Sequence, residues 1–160
     1  MRKKEKSMAR LKLTRRQALL AAGAAALAPK PAGAQAPGQM QAAIRAALGD
    51  AKINKGKVNL DLPPLVENGN TVAMTVTVES PMTKENFVKA IHVFTEKNPQ
   101  PNVIRVKLGP RAGKAEISTR VRLADTQKVI AIAEMSDGTF WSDTQDVVVT
   151  LASCLEDLVP

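Results

Sequence analysis

The sequence predicts an all-β protein, an antiparallel β-sandwich with one short helix ahead of it. Three observations carry that expectation. About seven short runs alternate apolar and polar residues, as half-buried strands do. Turn residues separate them at intervals of roughly 8–12 positions, the spacing of sandwiches. Past the opening helix no helical period intervenes, so the βαβ units of a parallel sheet have no place.

Taken in order, Met40–Leu48 carries apolar residues at spacings of three and four and is closed by Gly49, which predicts a short helix. Asn54-Lys55-Gly56-Lys57 reads as a turn, and Val58–Leu62 alternates as a strand stopped by Pro63-Pro64. Glu67-Asn68-Gly69-Asn70 reads as a hairpin turn, because Asn and Gly accept positive φ. Val72, Met74, Val76 and Val78 face one way and Ala73, Thr75 and Thr77 the other, the clearest half-buried strand in the chain. Ser80-Pro81 ends it. Val88–Phe94 is a less regular apolar run, read as a strand. Asn98–Asn102 is a loop that two prolines hold extended.

Ile104, Val106 and Leu108 then alternate with Arg105 and Lys107, and Gly109–Gly113 turns the chain. Ile117, Thr119, Val121 and Leu123 alternate with Glu116, Ser118, Arg120 and Arg122. Val129–Ala133 reads as a central strand and Asp137-Gly138 as a hairpin turn. Phe140-Trp141 opens the next element, and Val147–Leu151 is the last strand.

Residues 1–16 are basic and contain Arg15-Arg16. An alanine-rich apolar run, Leu19–Ala28, follows, and then Ala34-Gln35-Ala36. That order is the layout of a cleaved secretory signal, and the paired arginines are those of the twin-arginine type. The run is too short to span a bilayer, which takes roughly 20 apolar residues. The expected organisation is a signal over 1–36, a sandwich domain over 37–151 and a C-terminal arm over 152–160. The expected location is the periplasm. Twin-arginine export moves chains that fold or meet a partner before crossing. With no cofactor site in view, a co-exported partner is expected.

The formal charge of +8 suggests a nucleic-acid or membrane partner, but its distribution removes that suggestion. Nine of the 23 Lys and Arg lie in residues 1–36, against Glu5 alone; from residue 37 onward 14 bases meet 14 acids. With no Tyr, three Phe and one Trp, there is little aromatic surface on which bases would stack. Nucleic-acid binding is not expected.

Cys154 is the only cysteine, and in an oxidising compartment it has no partner within its own chain. Three roles are open to it: a core filler, an intermolecular disulfide or metal ligand, or a working or modified thiol. Small Ala152 and Ser153 before it and charged Glu156 and Asp157 after it point to the last. No cation stands nearby in sequence to favour the thiolate, and the two acids disfavour it. Such a thiol suits chemistry supplied elsewhere.

His92, the sole histidine, sits between Ile91 and Val93 and reads as structural rather than as a base for Cys154. A protein-only zinc site has too few ligands here. Arg105, Lys107, Arg120 and Arg122 form a basic stripe if their two strands pair: a solvated face, or one for an acidic partner.

Several stretches together resemble the SoxY family, the sulfur carriers of the periplasmic thiosulfate-oxidising system. They are the twin-arginine leader, Glu67-Asn68-Gly69-Asn70-Thr71-Val72, Val76–Thr83, Asn98-Pro99-Gln100-Pro101 and Arg120–Gln127. The resemblance implies an immunoglobulin-like β-sandwich and a heterodimer with a SoxZ-like subunit. It implies no enzyme activity and no cofactor.

The carrier cysteine it implies is Cys154, to which a SoxAX-like haem protein joins thiosulfate and from which a SoxB-like enzyme releases sulfate. In the family the cysteine lies in a glycine-rich arm. Here Ala152, Ser153, Leu155 and Glu156 stand in place of those glycines, adding bulk and restricting the backbone. The alternative reading is a structural SoxY-like partner subunit that no longer carries sulfur.

Overall fold

The computed structural model describes residues 38–151. The expected signal, residues 1–36, and the expected arm, residues 152–160, lie outside the described residues. A ten-residue helix, α1 (Gln39–Leu48), starts at Gly38 (φ 111°) and stops at Gly49 (φ 71°), whose N–H donates to Arg45 O at 2.8 Å. These positive φ values are ones glycine adopts without steric cost.

Nine strands follow: β1 (Ile53–Lys55), β2 (Val58–Asp61), β3 (Leu65–Asn68), β4 (Val72–Val78), β5 (Val88–Thr95), β6 (Asn102–Lys107), β7 (Glu116–Val121), β8 (Gln127–Met135) and β9 (Phe140–Leu151). They form two layers. One sheet runs β1-β9-β8-β5-β6, with β3 also paired to β9; the other runs β2-β4-β7. Val72, Met74, Val76 and Val78 of β4 meet Ile91 and Val93 of β5, Val129 and Ala131 of β8, and Val147 and Val149 of β9 in one core. Burial of each such Val, Ile or Met contributes about 1.5–3 kcal/mol.

The irregular pattern of Val88–Phe94 has a physical cause. The inner face of β5 lines the core between the sheets, and its outer face lies under α1, where Met40 packs on Phe94 and Ile132. A strand buried on both faces has no reason to alternate.

Four expectations need correction. Asn54 and Lys55 belong to β1, which pairs parallel with β9, and the turn is Gly56-Lys57, both at positive φ. Phe140-Trp141 and Val147–Leu151 are two ends of a single twelve-residue strand. Asn68–Asn70 is not a hairpin turn: β3 pairs parallel with β9 while β4 lies in the other sheet, so the chain crosses between layers there. Lastly, β6 and β7 do not pair, so Arg105 and Lys107 are on one sheet, Arg120 is on the other, and no continuous basic stripe forms. The Asp137-Gly138 hairpin is present, with Gly138 at φ 83° and Met135 N–H on Thr139 O at 2.9 Å.

Candidate functional site at the end of β9

β9 carries the chain to Leu151, three residues before Cys154, and its last residues are bonded on both edges. The ladder with β8 reaches only to Gln127 opposite Val147. One residue before Gln127, the side chain of Thr126 continues the ladder. Val149 N–H donates to its Oγ1 at 3.0 Å, and the hydroxyl donates to Val149 O at 3.4 Å.

On the other edge Leu65, Val66 and Asn68 of β3 stand opposite Val148, Val149 and Leu151. Val148 N–H donates to Pro64 O at 2.9 Å, Thr150 Oγ1 to Glu67 O at 3.1 Å and Gly69 N–H to Leu151 O at 3.0 Å.

Gly69 must be glycine for reasons of space, not of φ. Its carbonyl accepts from Leu123 N–H at 2.8 Å, and a Cβ here would sit 2.2 Å from Leu123 O. The close approach ties the end of β7 to the root of the arm.

Beneath Thr126 lies a satisfied polar network. Asn98 Nδ2 donates to Arg122 O at 2.8 Å, and its Oδ1 accepts from Ala124 N–H and Gln127 Nε2, both at 2.9 Å. Gln127 Oε1 accepts from Lys97 N–H at 2.8 Å. Above it, Lys97 and Thr126 N–H both bond Asp125, holding its carboxyl below the usual range. That exposed ion pair adds little stability. Leu65 (61% exposed), Val148 (47%) and Leu151 (66%) leave an apolar rim at this corner.

Cys154, Ala152, Ser153 and Leu155 lie outside the described residues. His92 is fully buried, stacked on Phe94 at 6.1 Å and 6°, with neither ring nitrogen hydrogen-bonded. Burial, and then Arg105, push its pKa down, while Glu134 opposes them. The register sets it opposite Ile132 and so at the level of Ser142, about 30 Å along β9 from Leu151 at roughly 3.3 Å per residue.

It is a core residue far from the arm root. Among the described residues no group of three or more His, Cys, Asp or Glu is placed to hold a metal, and no helix is long and apolar enough to cross a membrane.

Residues 44–154 match the family model described as sulfur oxidation protein SoxY. The chain belongs to the SoxY family. The SoxY match ends on Cys154, so the thiol falls within the family's own span. Among solved structures, the sulfur carrier protein SoxY from Chlorobium limicola f thiosulfatophilum is 28% identical, with a TM-score of 0.60 over 71% of this chain and 97% of that one.

Superoxide reductases share the fold alone. Neelaredoxin from Ignicoccus hospitalis is 16% identical at a TM-score of 0.53, covering 59% of this chain and 80% of its own. The Nanoarchaeum equitans enzyme is 12% identical at 0.50, covering 60% and 100%. No curated protein matches.

The SoxY resemblance of the sequence is thereby borne out. Sequence reasoning missed Thr126, Thr150 and Asn98 as supports of the arm root. Asn98 and Thr126 lie in runs that carry the resemblance, whereas nothing in the sequence marked Thr150.

Proposed function

We propose that this SoxY-family protein is a periplasmic sulfur carrier that holds thiosulfate-derived intermediates covalently on Cys154 and presents them to sulfur-oxidising enzymes. The observation that carries the reading is the family match running through that cysteine, the only one in the chain. It is supported by the likeness to a protein described as a sulfur carrier. The protein itself is a substrate of those enzymes, not a catalyst.

The chemistry follows from the thiol. Cys154 loses its proton, and its sulfur bonds to the outer sulfur of thiosulfate. Two electrons leave to a SoxAX-like haem protein, giving Cys–S–S–SO3⁻. A SoxB-like hydrolase then adds water across the terminal S–S bond, releasing sulfate and leaving a persulfide on the cysteine. In this reading the enzymes supply the acid–base chemistry of both steps.

The organisation proposed is a cleaved twin-arginine signal over 1–36, the sandwich over 37–151 and the carrying arm over 152–160. Replacing Arg15 and Arg16 by Lys should leave the protein out of the periplasm; normal delivery would contradict the signal. The proposed partner is a SoxZ-like subunit, in a heterodimer. Light scattering on co-expressed chains should give that mass, and a homodimer or monomer beside the candidate partner would count against it. The function itself is tested by a Cys154→Ser strain, which should lose thiosulfate-dependent respiration. Undiminished respiration would favour a structural subunit, a reading to which Ala152, Ser153 and Leu155 in place of the family's arm glycines lend support.

A further inference from the structure

We infer that the outer face of β5 and β6 carries a binding site for a small, doubly charged oxyanion of the sulfate and thiosulfate class, held by Arg105 and Lys107. Those two ions are the product and reactant of the chemistry proposed for Cys154, but binding here requires nothing of that thiol.

The strand registers build the site row by row. Ala90 stands between Lys107 on β6 and Glu134 on β8, and in the next row His92 stands between Arg105 and Ile132. Paired residues project from the same face of a sheet, so these six share one surface. Helix α1 packs over Phe94 and Ile132 at one end of it. Around Ala90, a short methyl flanked by two long side chains leaves an open depression of about 420 Å³, lined also by Phe87 and Leu108.

A bulge adds a third cation. Lys89 is the extra residue where the pairing of β5 with β8 shifts between Val88 and Ala90. It therefore does not turn inward as a regular neighbour of Ala90 would, and its Nζ meets Glu134 Oε1 at 2.6 Å. That pair occupies the one carboxylate lining the depression. Arg105 and Lys107 make no ion pair among the described residues, so the site keeps two positive charges in excess. The Arg105 charge is felt beneath the surface: after burial, it is the next cause that lowers the pKa of His92.

The chemistry of the ligand follows from this pair. Residues two apart on a strand lie roughly 7 Å apart, a span that two long side chains close around one ion. The guanidinium fork and the ammonium then donate charge-assisted hydrogen bonds to different oxygens of a tetrahedral anion. A dianion is favoured over a monoanion because the Coulomb attraction doubles.

The test is a residue-resolved titration of the whole isotope-labelled chain by heteronuclear magnetic resonance. Sodium sulfate or thiosulfate replaces sodium chloride at constant ionic strength, and sodium nitrate, a monovalent oxyanion, is the control. Following individual amides keeps the nine bases of residues 1–36 out of the reading. The amides of Ala90, Arg105 and Lys107 should shift along a saturating curve with the dianions, half-complete at roughly 1–10 mM for so open a site. Nitrate should shift them only weakly.

Arg105→Gln and Lys107→Gln, at exposed positions, should each weaken binding at least about fivefold. Glu134→Gln, which removes the opposing charge and frees Lys89, should tighten it at least about twofold. Arg120→Gln, which removes an exposed cation on the other sheet, should change nothing. Sulfate shifts no larger than those of nitrate would overturn the inference, and so would binding undiminished in both Arg105→Gln and Lys107→Gln; either result would leave a solvated basic face. Sulfur loading of Cys154, read separately by mass, tests the carrier reading, so either idea can fail while the other stands.

Discussion

Asn98 and Gln127 meet side chain to side chain in the interior, Gln127 Nε2 donating to Asn98 Oδ1 at 2.9 Å. The bond joins the loop between β5 and β6 to the start of β8. Thr126, the residue beside Gln127, is the one that grips Val149. Two stretches of sequence that separately resemble SoxY, Asn98–Pro101 and Arg120–Gln127, are therefore parts of one support for the end of β9.

Asn98→Ala removes three hydrogen bonds at once and leaves Gln127 Nε2, Ala124 N–H and Arg122 O to find other partners. Each partner left unsatisfied in the interior costs about 1–3 kcal/mol. The expected loss is about 3 kcal/mol of unfolding free energy, measured by urea titration. A change under about 0.5 kcal/mol, the ordinary range of surface substitutions, would show that the network is dispensable.

Gly69→Ala forces a Cβ against Leu123 O, a backbone atom that cannot swing aside, whereas Gly109 has open space around it and no left-handed φ. Gly69→Ala should lower stability by more than about 2 kcal/mol, while Gly109→Ala should be neutral or stabilise by up to about 1 kcal/mol. Thermal unfolding of the two variants side by side decides the matter. Equal effects would mean that the crossover near Leu123 is slack.

His92 makes stability depend on pH in a defined direction. Its ordinary pKa is 6.5, and burial followed by Arg105 lowers it in the folded chain. At pH values below 6.5 and above the folded pKa the unfolded chain therefore binds more protons than the folded one. Stability contributed by the neutral ring is complete above 6.5, falls as pH drops through that window and levels off below the folded pKa. His92→Leu, similar in volume and without two unpaired nitrogens, should flatten this part of the curve. Unfolding measured from pH 5 to 8 checks it, and an unchanged slope would assign the dependence to other groups.

The sandwich was legible because β4 alternates cleanly and the turns fall between such runs. The less legible parts are those set by distant pieces of chain. β1 and β3 are short and form only because β9 offers an edge to them, so their own residues read as turns. Gly69 looked like a positive-φ turn residue, but its requirement comes from Leu123 O, 54 positions away in sequence. Thr126 and Thr150 are ordinary residues whose importance comes from the neighbours the fold brings to them. The thiol itself was singled out by its uniqueness, and the family match then placed it within the SoxY span.

The central claim, that Cys154 carries sulfur, is tested most directly by intact-protein mass spectrometry on material purified from thiosulfate-grown cells. The account predicts adducts of about +32 for each added sulfur and about +112 for the bound thiosulfonate, removable by reductant and absent from Cys154→Ser. A homogeneous unmodified mass, in cells that oxidise thiosulfate equally well with Cys154→Ser, would contradict it.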